Sequence, residues 1–203
     1  MDTIETNSQG MWDSRFSKRI YAYGKLPNAF FAQELSKIRT AGILLPAEGE
    51  GRNAVHALKN GWNVIAFDQS EKGREKALSL AAENGVELDY TIADASSFQC
   101  PVLVDVLAYT YFHLPSPKAE SVYAHLNNFL APQGNLIFEA FSTKNIGMGS
   151  GGPQTESMCF TVNQVKALFG DFTHVEVWEE KVNLQEGLYH SGESWVIRAR
   201  ATK

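Results

Sequence analysis

Cysteine is nearly absent. Cys100 and Cys159 are the only two, far apart, with neither metal-ligand spacing nor a disulfide framework. No metal site is expected, and a reducing cytoplasm is the simplest location. Basic charge is also sparse. No Lys/Arg run is longer than Lys18-Arg19, and the net charge is −5. Tight general binding to phosphate backbones is therefore not expected, which speaks against a nucleic-acid partner. Long apolar runs are missing too, so no membrane partner is expected. The polar, acidic N-terminus shows no visible signal peptide. What remains is ordinary for a globular protein: 203 residues, 44% apolar and 20% charged. That length fits one domain with a sizeable core.

The chain is organised around Ile43-Leu44-Leu45-Pro46-Ala47-Glu48-Gly49-Glu50-Gly51-Arg52-Asn53. A short apolar run passes through two glycines into Ala54–Lys59, which reads as a helix. Glycine permits a tight turn and the close approach of backbone N–H groups to a ligand. A second apolar strand, Val64–Phe67, then ends on Asp68. A carboxylate there can accept hydrogen bonds from both hydroxyls of a ribose. The plainer alternatives are a structural turn and a capping acid.

Upstream, residues 1–10 are polar and expected to be disordered. Trp12, Phe16, Ile20 and Tyr23 recur at helical spacing and predict a short amphipathic helix, either packed on the domain or acting as a lid. Asn28 can cap a helix over Ala29–Ile38. From residue 42 strands and helices alternate. Strands are expected at 42–46, 63–67, 87–92, Val102–Tyr109 and Asn135–Phe141. Helices are expected at 52–60, from Ser70 to about Asn84, and from Ser116-Pro117 through Leu130. This is an α/β pattern with a largely parallel, doubly wound sheet. A glycine-rich loop fills 143–158, and Thr161 with Gln164 makes a capping box for a helix at 162–169. Two β-type runs, 172–183 and 193–201, joined through Asn183–Gly192, predict an antiparallel hairpin.

Gly49-x-Gly51-x-x-Ala54 satisfies a dinucleotide fingerprint with Ala in its last position. On that motif a nicotinamide enzyme and an S-adenosylmethionine enzyme stand level. Three features weigh against nicotinamide. The carboxy-terminal hairpin does not suit a repeated βαβαβ half. The only Tyr-x-x-x-Lys, Tyr21 to Lys25, precedes the glycine loop. Ala93-Asp94-Ala95 follows the third strand, where an acid can meet an adenine amino group, although Asp94 alone reads equally as a helix cap.

With these features in order, the chain resembles class I S-adenosylmethionine-dependent methyltransferases, closest to the small tellurite-resistance-type and thiopurine-type branches. The resemblance rests on Tyr23-Gly24-x-x-Pro27-Asn28, Ala47 to Ala54, Val64 to Ser70 and Phe112-His113-Leu114-Pro115. It continues through Leu130-x-Pro132-x-Gly134, Gly151-Gly152-Pro153 and Glu186-Gly187-x-x-His190-x-Gly192. It implies a Rossmann-like seven-stranded sheet of order 3-2-1-4-5-7-6, with strand seven antiparallel and an N-terminal helical lid. It divides residues 11–203, as a single domain, into a lid (11–40), a cofactor core (41–142) and a substrate loop, helix and hairpin (143–203).

By position, the resemblance implies that Glu48, Gly49, Glu50, Gly51 and Asn53 cradle the methionine part of S-adenosylmethionine. Asp68 would hold the ribose, with Gln69 and Ser70 beside the adenosine. Asp94 and Ala95 would flank the adenine, and Tyr109 and Thr110 would lie near the sulfonium. Leu45 stands where many members carry an acid, so Glu48 and Glu50 compete for the cofactor's ammonium. Tyr109-Thr110-Tyr111-Phe112 departs from the Asn-Pro-Pro-Tyr type of DNA amino methylases.

The expected acceptor is thus a small molecule. Sulfur, selenium or tellurium nucleophiles are suggested by the resemblance alone. His113 and His190 are the candidate bases, each weighed against a hydrogen-bonded structural histidine. A nicotinamide oxidoreductase and a non-catalytic cofactor-binding module stay open as alternatives. Oligomeric state is not readable.

Overall fold

The computed structural model describes residues 8–115 and 118–203. The expected helix start at Ser116-Pro117 and the expected disorder of residues 1–7 lie outside that range. Seven strands form one sheet: β1 (Gly42–Pro46), β2 (Asn63–Asp68), β3 (Asp89–Ile92), β4 (Val104–Thr110), β5 (Leu130–Phe141), β6 (His174–Glu186) and β7 (His190–Thr202). Their order is β3-β2-β1-β4-β5-β7-β6. The first five run parallel, while β7 is antiparallel to both β5 and β6. The expected sheet order and the antiparallel strand seven both hold.

Among the described residues six α-helices complete the layers: α1 (Ser8–Phe16), α2 (Ala29–Leu35), α3 (Arg52–Lys59), α4 (Glu71–Glu83), α5 (Lys118–Asn127) and α6 (Val162–Leu168). The strand period of two divides the core. Ile43, Leu45, Val106 and Ala108 pack with Phe30, Phe31, Ala54 and Ala77 on one side of the sheet. Leu44, Leu107 and Tyr109 pack with Tyr123, Phe138 and Phe169 on the other. Coverage on both faces explains why β1 and β4 read as near-continuous apolar runs.

Several boundaries differ from expectation. Residues 8–10, expected to be disordered, lie in α1, where the Ser8 hydroxyl donates to the Gln69 side chain, and α1 ends at Phe16. The helical spacing through Ile20 and Tyr23 does not continue a helix. Residues 17–28 instead run irregularly, tied by the Lys76 ammonium to the carbonyls of Lys18 and Ile20. α2 stops at Leu35, before Ile38, and α5 stops at Asn127, because Leu130 already belongs to β5. The hairpin is longer than the apolar runs suggested. Its ladder pairs residues up to Glu186 with His190, and Gly187 makes the turn with φ 68°. Ladder hydrogen bonds carry the strands through polar residues that show no strand pattern in isolation.

The carboxyl ends of β1, β2, β4 and β5, with the β6–β7 turn, share one edge of the sheet. A concavity of about 520 Å³ opens at the opposite edge, lined by residues such as Gly42, Asn63, Asp89 and Val104. It lies away from the glycine loop and the two histidines.

Candidate active site

The loop after β1 is shaped by three left-handed residues, Ala47 (φ 52°), Gly49 (φ 60°) and Gly51 (φ 84°). Such alternation turns backbone N–H groups toward one side, a geometry that receives negative groups. Gly51 has a packing reason as well: a Cβ there would sit 2.6 Å from the Cβ of Ala77 on α4. At Gly49 a Cβ would lie 3.1 Å from the Phe16 ring. Phe16 therefore seats its ring on the loop, and Trp12 stacks on Phe16 at 5.4 Å. Asp13 accepts from the Ser70 hydroxyl (2.6 Å) and the Lys72 N–H (3.1 Å). α1 thus bridges the turns after β1 and β2.

Asp68 is buried at the end of β2. Its Oδ2 accepts from the Gly49 N–H (3.1 Å) and its Oδ1 from the Ser70 N–H (2.8 Å). Burial pushes its carboxyl up to about 6, against the pull of those N–H donors. Glu48 accepts from the Ala54 N–H (2.7 Å), at the start of α3, and burial pushes it up to about 7. No salt bridge reaches either acid among the described residues. Glu50 is different: its carboxylate meets the Lys76 ammonium at 2.5 Å and accepts from the Ala22 N–H.

The remaining expected cofactor residues divide by what their side chains already do. Asn53 accepts from the Asn28 N–H (2.9 Å), and Ser70 caps α4 through Gly73. Gln69 accepts from Ser8. Exposed Asp94 accepts from the N–H and hydroxyl of Ser96, and the Ser96 hydroxyl chiefly holds its carboxyl below the usual range. Its side chain is therefore a turn cap, with Ala95 partly buried beside it. Tyr109 is corrected. Its ring is fully buried in the aromatic core and its hydroxyl is spent on Asn127 (3.0 Å), because odd positions of β4 face α5 and α6. Thr110 ends β4 at the edge and is partly buried.

The two histidines separate. His113 bonds the Met158 carbonyl through Nδ1 (2.7 Å) and accepts from the Phe141 N–H at Nε2 (3.3 Å). Both nitrogens are committed to backbone, and burial lowers its pKa to about 4. His113 is a neutral structural histidine, and its assignment as a base is withdrawn. His113→Ala should cost about 2–4 kcal/mol of stability, from two lost hydrogen bonds and a cavity. Urea titration checks this, and turnover per folded molecule should stay within a few fold.

His190 opens β7 and is buried among the rings of Tyr23 and Tyr111 (each 4.4 Å) and Phe141 (4.9 Å). Glu186, at the other end of the turn, lies 3.5 Å from its Nδ1. Burial lowers the imidazole's pKa while Glu186 opposes the shift. Glu186 also binds Arg52 (2.8 Å) and Asn28 (2.9 Å). Asn28 donates again to buried Glu139, which Arg198 holds from the other side.

Neither Asn28, Arg52, Glu139 nor Tyr111 figured among the expected site residues. Tyr111 has φ 52°, a conformation rare for a bulky residue, and its buried hydroxyl makes no hydrogen bond among the described residues. Strain and an unpaired buried hydroxyl each cost about 1–3 kcal/mol. Its place in Tyr109-Thr110-Tyr111-Phe112, just past the fourth strand, was its sequence cue. The loop 143–158 lies over this corner. A Cβ at Gly152 would sit 2.5 Å from the Phe141 ring, and one at Gly151 would sit 2.0 Å from the Tyr189 carbonyl.

A family model described as a methyltransferase domain matches residues 43–134. No curated protein matches the chain. Solved structures with the same fold include a SAM-dependent methyltransferase from Anabaena variabilis, 15% identical with a TM-score of 0.70. That match covers 100% of this chain and 96% of that one. TehB from Haemophilus influenzae is 14% identical over 96% of this chain and 66% of its own, with a TM-score of 0.69. The N-methyltransferase NodS from Bradyrhizobium japonicum, in complex with S-adenosyl-L-homocysteine, is 12% identical over 97% and 98%, with a TM-score of 0.67. At these identities the likeness is one of fold. Over residues 43–134 the chain is thus similar to a methyltransferase domain, and the cofactor that this similarity implies is S-adenosylmethionine. Among the described residues no helix is long and apolar enough to cross a membrane, and no cluster of His, Cys, Asp or Glu could hold a metal ion.

The residues present fit that cofactor. Glu48 and Asp68 are desolvated acids beside a glycine cradle, with no salt-bridge partner among the described residues. A ligand bringing ribose hydroxyls and an ammonium supplies what they lack. When bound, it offers a methyl group on a sulfonium, already activated for transfer.

Proposed function

We propose that the chain methylates a small-molecule acceptor, with a sulfur or selenium nucleophile as the favoured class, tellurium included by resemblance. The observation that carries this is the pair of desolvated acids, Glu48 and Asp68, beside the glycine cradle, facing the same sheet edge as the His190–Glu186 pair. In this reading Asp68 takes the ribose hydroxyls, and Gln69, Asp94 and Ala95 border the adenosine. Glu48 meets the ammonium, since Glu50 is already neutralised by Lys76. His190 serves as base, with Glu186 holding the proton on Nδ1 so that Nε2 keeps its lone pair. The division into lid, cofactor core and substrate elements belongs to the same reading. Calorimetry should give saturable binding of S-adenosylhomocysteine and none of NAD(H). The reverse preference would favour an oxidoreductase.

α1 and the 147–153 loop cover the two halves of this site and should tighten when it fills, as gating segments do. Tyr189 joins them, held by the Lys18 ammonium (2.6 Å) and by Arg15 over its ring. Hydrogen exchange in residues 8–24 and 147–153 should slow severalfold on adding S-adenosylhomocysteine. Equal exchange in both segments with and without it would remove the lid role.

A further inference from the structure

We propose that Tyr111 is a catalytic residue of the acceptor site, its phenol donating the hydrogen bond that holds the acceptor atom as an anion once His190 has taken its proton. This rests on the methyl-transfer reading and narrows its acceptor class to small neutral X–H nucleophiles, alkyl thiols first.

Three observations meet at this residue. Its backbone is left-handed (φ 52°), one position past the end of β4, and is held there by its N–H on the Glu139 carbonyl (2.7 Å). That turn lays its ring along Phe141 (4.7 Å, 25°) and edge-on to His190 (4.4 Å). Its hydroxyl is buried without a hydrogen bond among the described residues. Glu139 lies close enough to help hold the phenol's pKa well above 10, though burial is the larger cause. The Glu139 oxygens are already taken by Asn28 and Arg198. The phenol thus keeps its proton, and no hydrogen bond of ordinary geometry joins it to Glu139 or to any other described residue. Strained residues and unpaired buried polar atoms are retained where a ligand uses them.

The surrounding charges select the acceptor. Arg52 is engaged by Glu186 and the Tyr23 carbonyl, Arg198 by Glu139 and Glu180, and Arg15 by the Tyr23 hydroxyl. An oxyanion would meet guanidiniums already committed, whereas a neutral X–H needs only a base and a donor. His190 receives the X–H proton. The freed pair on X, steadied by Tyr111, forms the new bond to the methyl carbon. The departing sulfur keeps the electrons of the bond that breaks, and the imidazolium returns its proton to solvent.

Tyr111→Phe keeps the ring and deletes the hydroxyl. Its Tm should rise by about 2–4 °C, because an unpaired buried group is removed. Its Kd for S-adenosylhomocysteine should not change. Its kcat with 2-mercaptoethanol should fall on the order of 10- to 100-fold, and less with the more acidic thiophenol. A fall in Tm overturns the proposal, since the hydroxyl is then paired within the protein. Equal kcat in variant and wild type on both thiols overturns it too. A wild type that binds no S-adenosylhomocysteine sinks the methyltransferase reading itself, while the Tm comparison still judges Tyr111.

Discussion

His190→Ala should lower turnover of a protonated acceptor by about 10²–10⁴-fold while leaving cofactor affinity near wild type. The imidazole sits at the turn between β6 and β7, on the side of the edge away from Asp68. Burial lowers its pKa, so it is neutral at pH 7 and ready to accept a proton. Glu186 orients it at 3.5 Å and is itself held by Arg52 and Asn28. Glu186→Gln should therefore lower kcat by a smaller factor, since the amide still fills the space but no longer stabilises the imidazolium. The kcat profile should rise with pH through a pKa below the ordinary 6.5 and stay flat above neutrality. A wild-type kcat in folded His190→Ala, with every acceptor that wild type methylates, would show that this ring only packs the corner.

His113 and His190 illustrate what the sequence could and could not reveal. Each stands at a position compatible with the carboxyl edge, and each looked equally able to act as a base. What separates them is partners distant in the chain. The Met158 carbonyl reaches His113 across 45 residues, through a loop whose path no local pattern predicts. The parallel strands were legible because both faces of β1 and β4 are covered, leaving apolar runs bounded by glycine turns. The glycine loop was legible because Gly49 and Gly51 must adopt φ values that other residues avoid. Ala47 and Tyr111 adopt such values without being glycine, so nothing in their identity announced it. The helicity of residues 8–11 was hidden for a related reason: Ser8 and Asp13 of α1 are held by tertiary partners, Gln69 and the α4 N-terminus, rather than by an apolar stripe.

The same tertiary logic ties the segment after α1 to the corner that holds His190. Arg52, in the first turn of α3, donates to the Tyr23 carbonyl and to Glu186. Gly187 packs so closely on Ala22 and Gly24 that a Cβ there would come within 2.5 Å of their backbone atoms. The segment after α1 and the hairpin turn carrying His190 are thus one packed unit across the mouth of the site. Movement of α1 off the glycine loop would disturb the packing around His190 as well as the loop.

Asp68→Ala should raise the dissociation constant for S-adenosylhomocysteine by about 30- to 1,000-fold, equivalent to about 2–4 kcal/mol from two hydrogen bonds to a carboxylate. The pH dependence gives a sharper signature. Burial raises Asp68 from about 3.8 to about 6 in the ligand-free fold. The folded chain then holds a proton that the unfolded chain has lost. Its stabilising contribution is complete below about pH 4 and is lost as pH rises through about 6. Ribose hydroxyls donate to the ionised form, so the bound state should hold that carboxyl lower and release the proton. Affinity should therefore increase as pH rises from 5 to 7, by up to about tenfold per unit below the free carboxyl's pKa. Calorimetry at pH 6 in buffers of different ionisation enthalpy should detect proton release on binding. Glu48, pushed to about 7, titrates nearby and would add its own release if it meets the ammonium. Asp68→Asn removes only the lower of the two and should flatten the slope between pH 5 and 6 while sparing the part near 7. An affinity independent of pH in wild type, or a slope unchanged in Asp68→Asn, would place Asp68 outside the ribose contact and leave it as the acid that shapes the glycine loop.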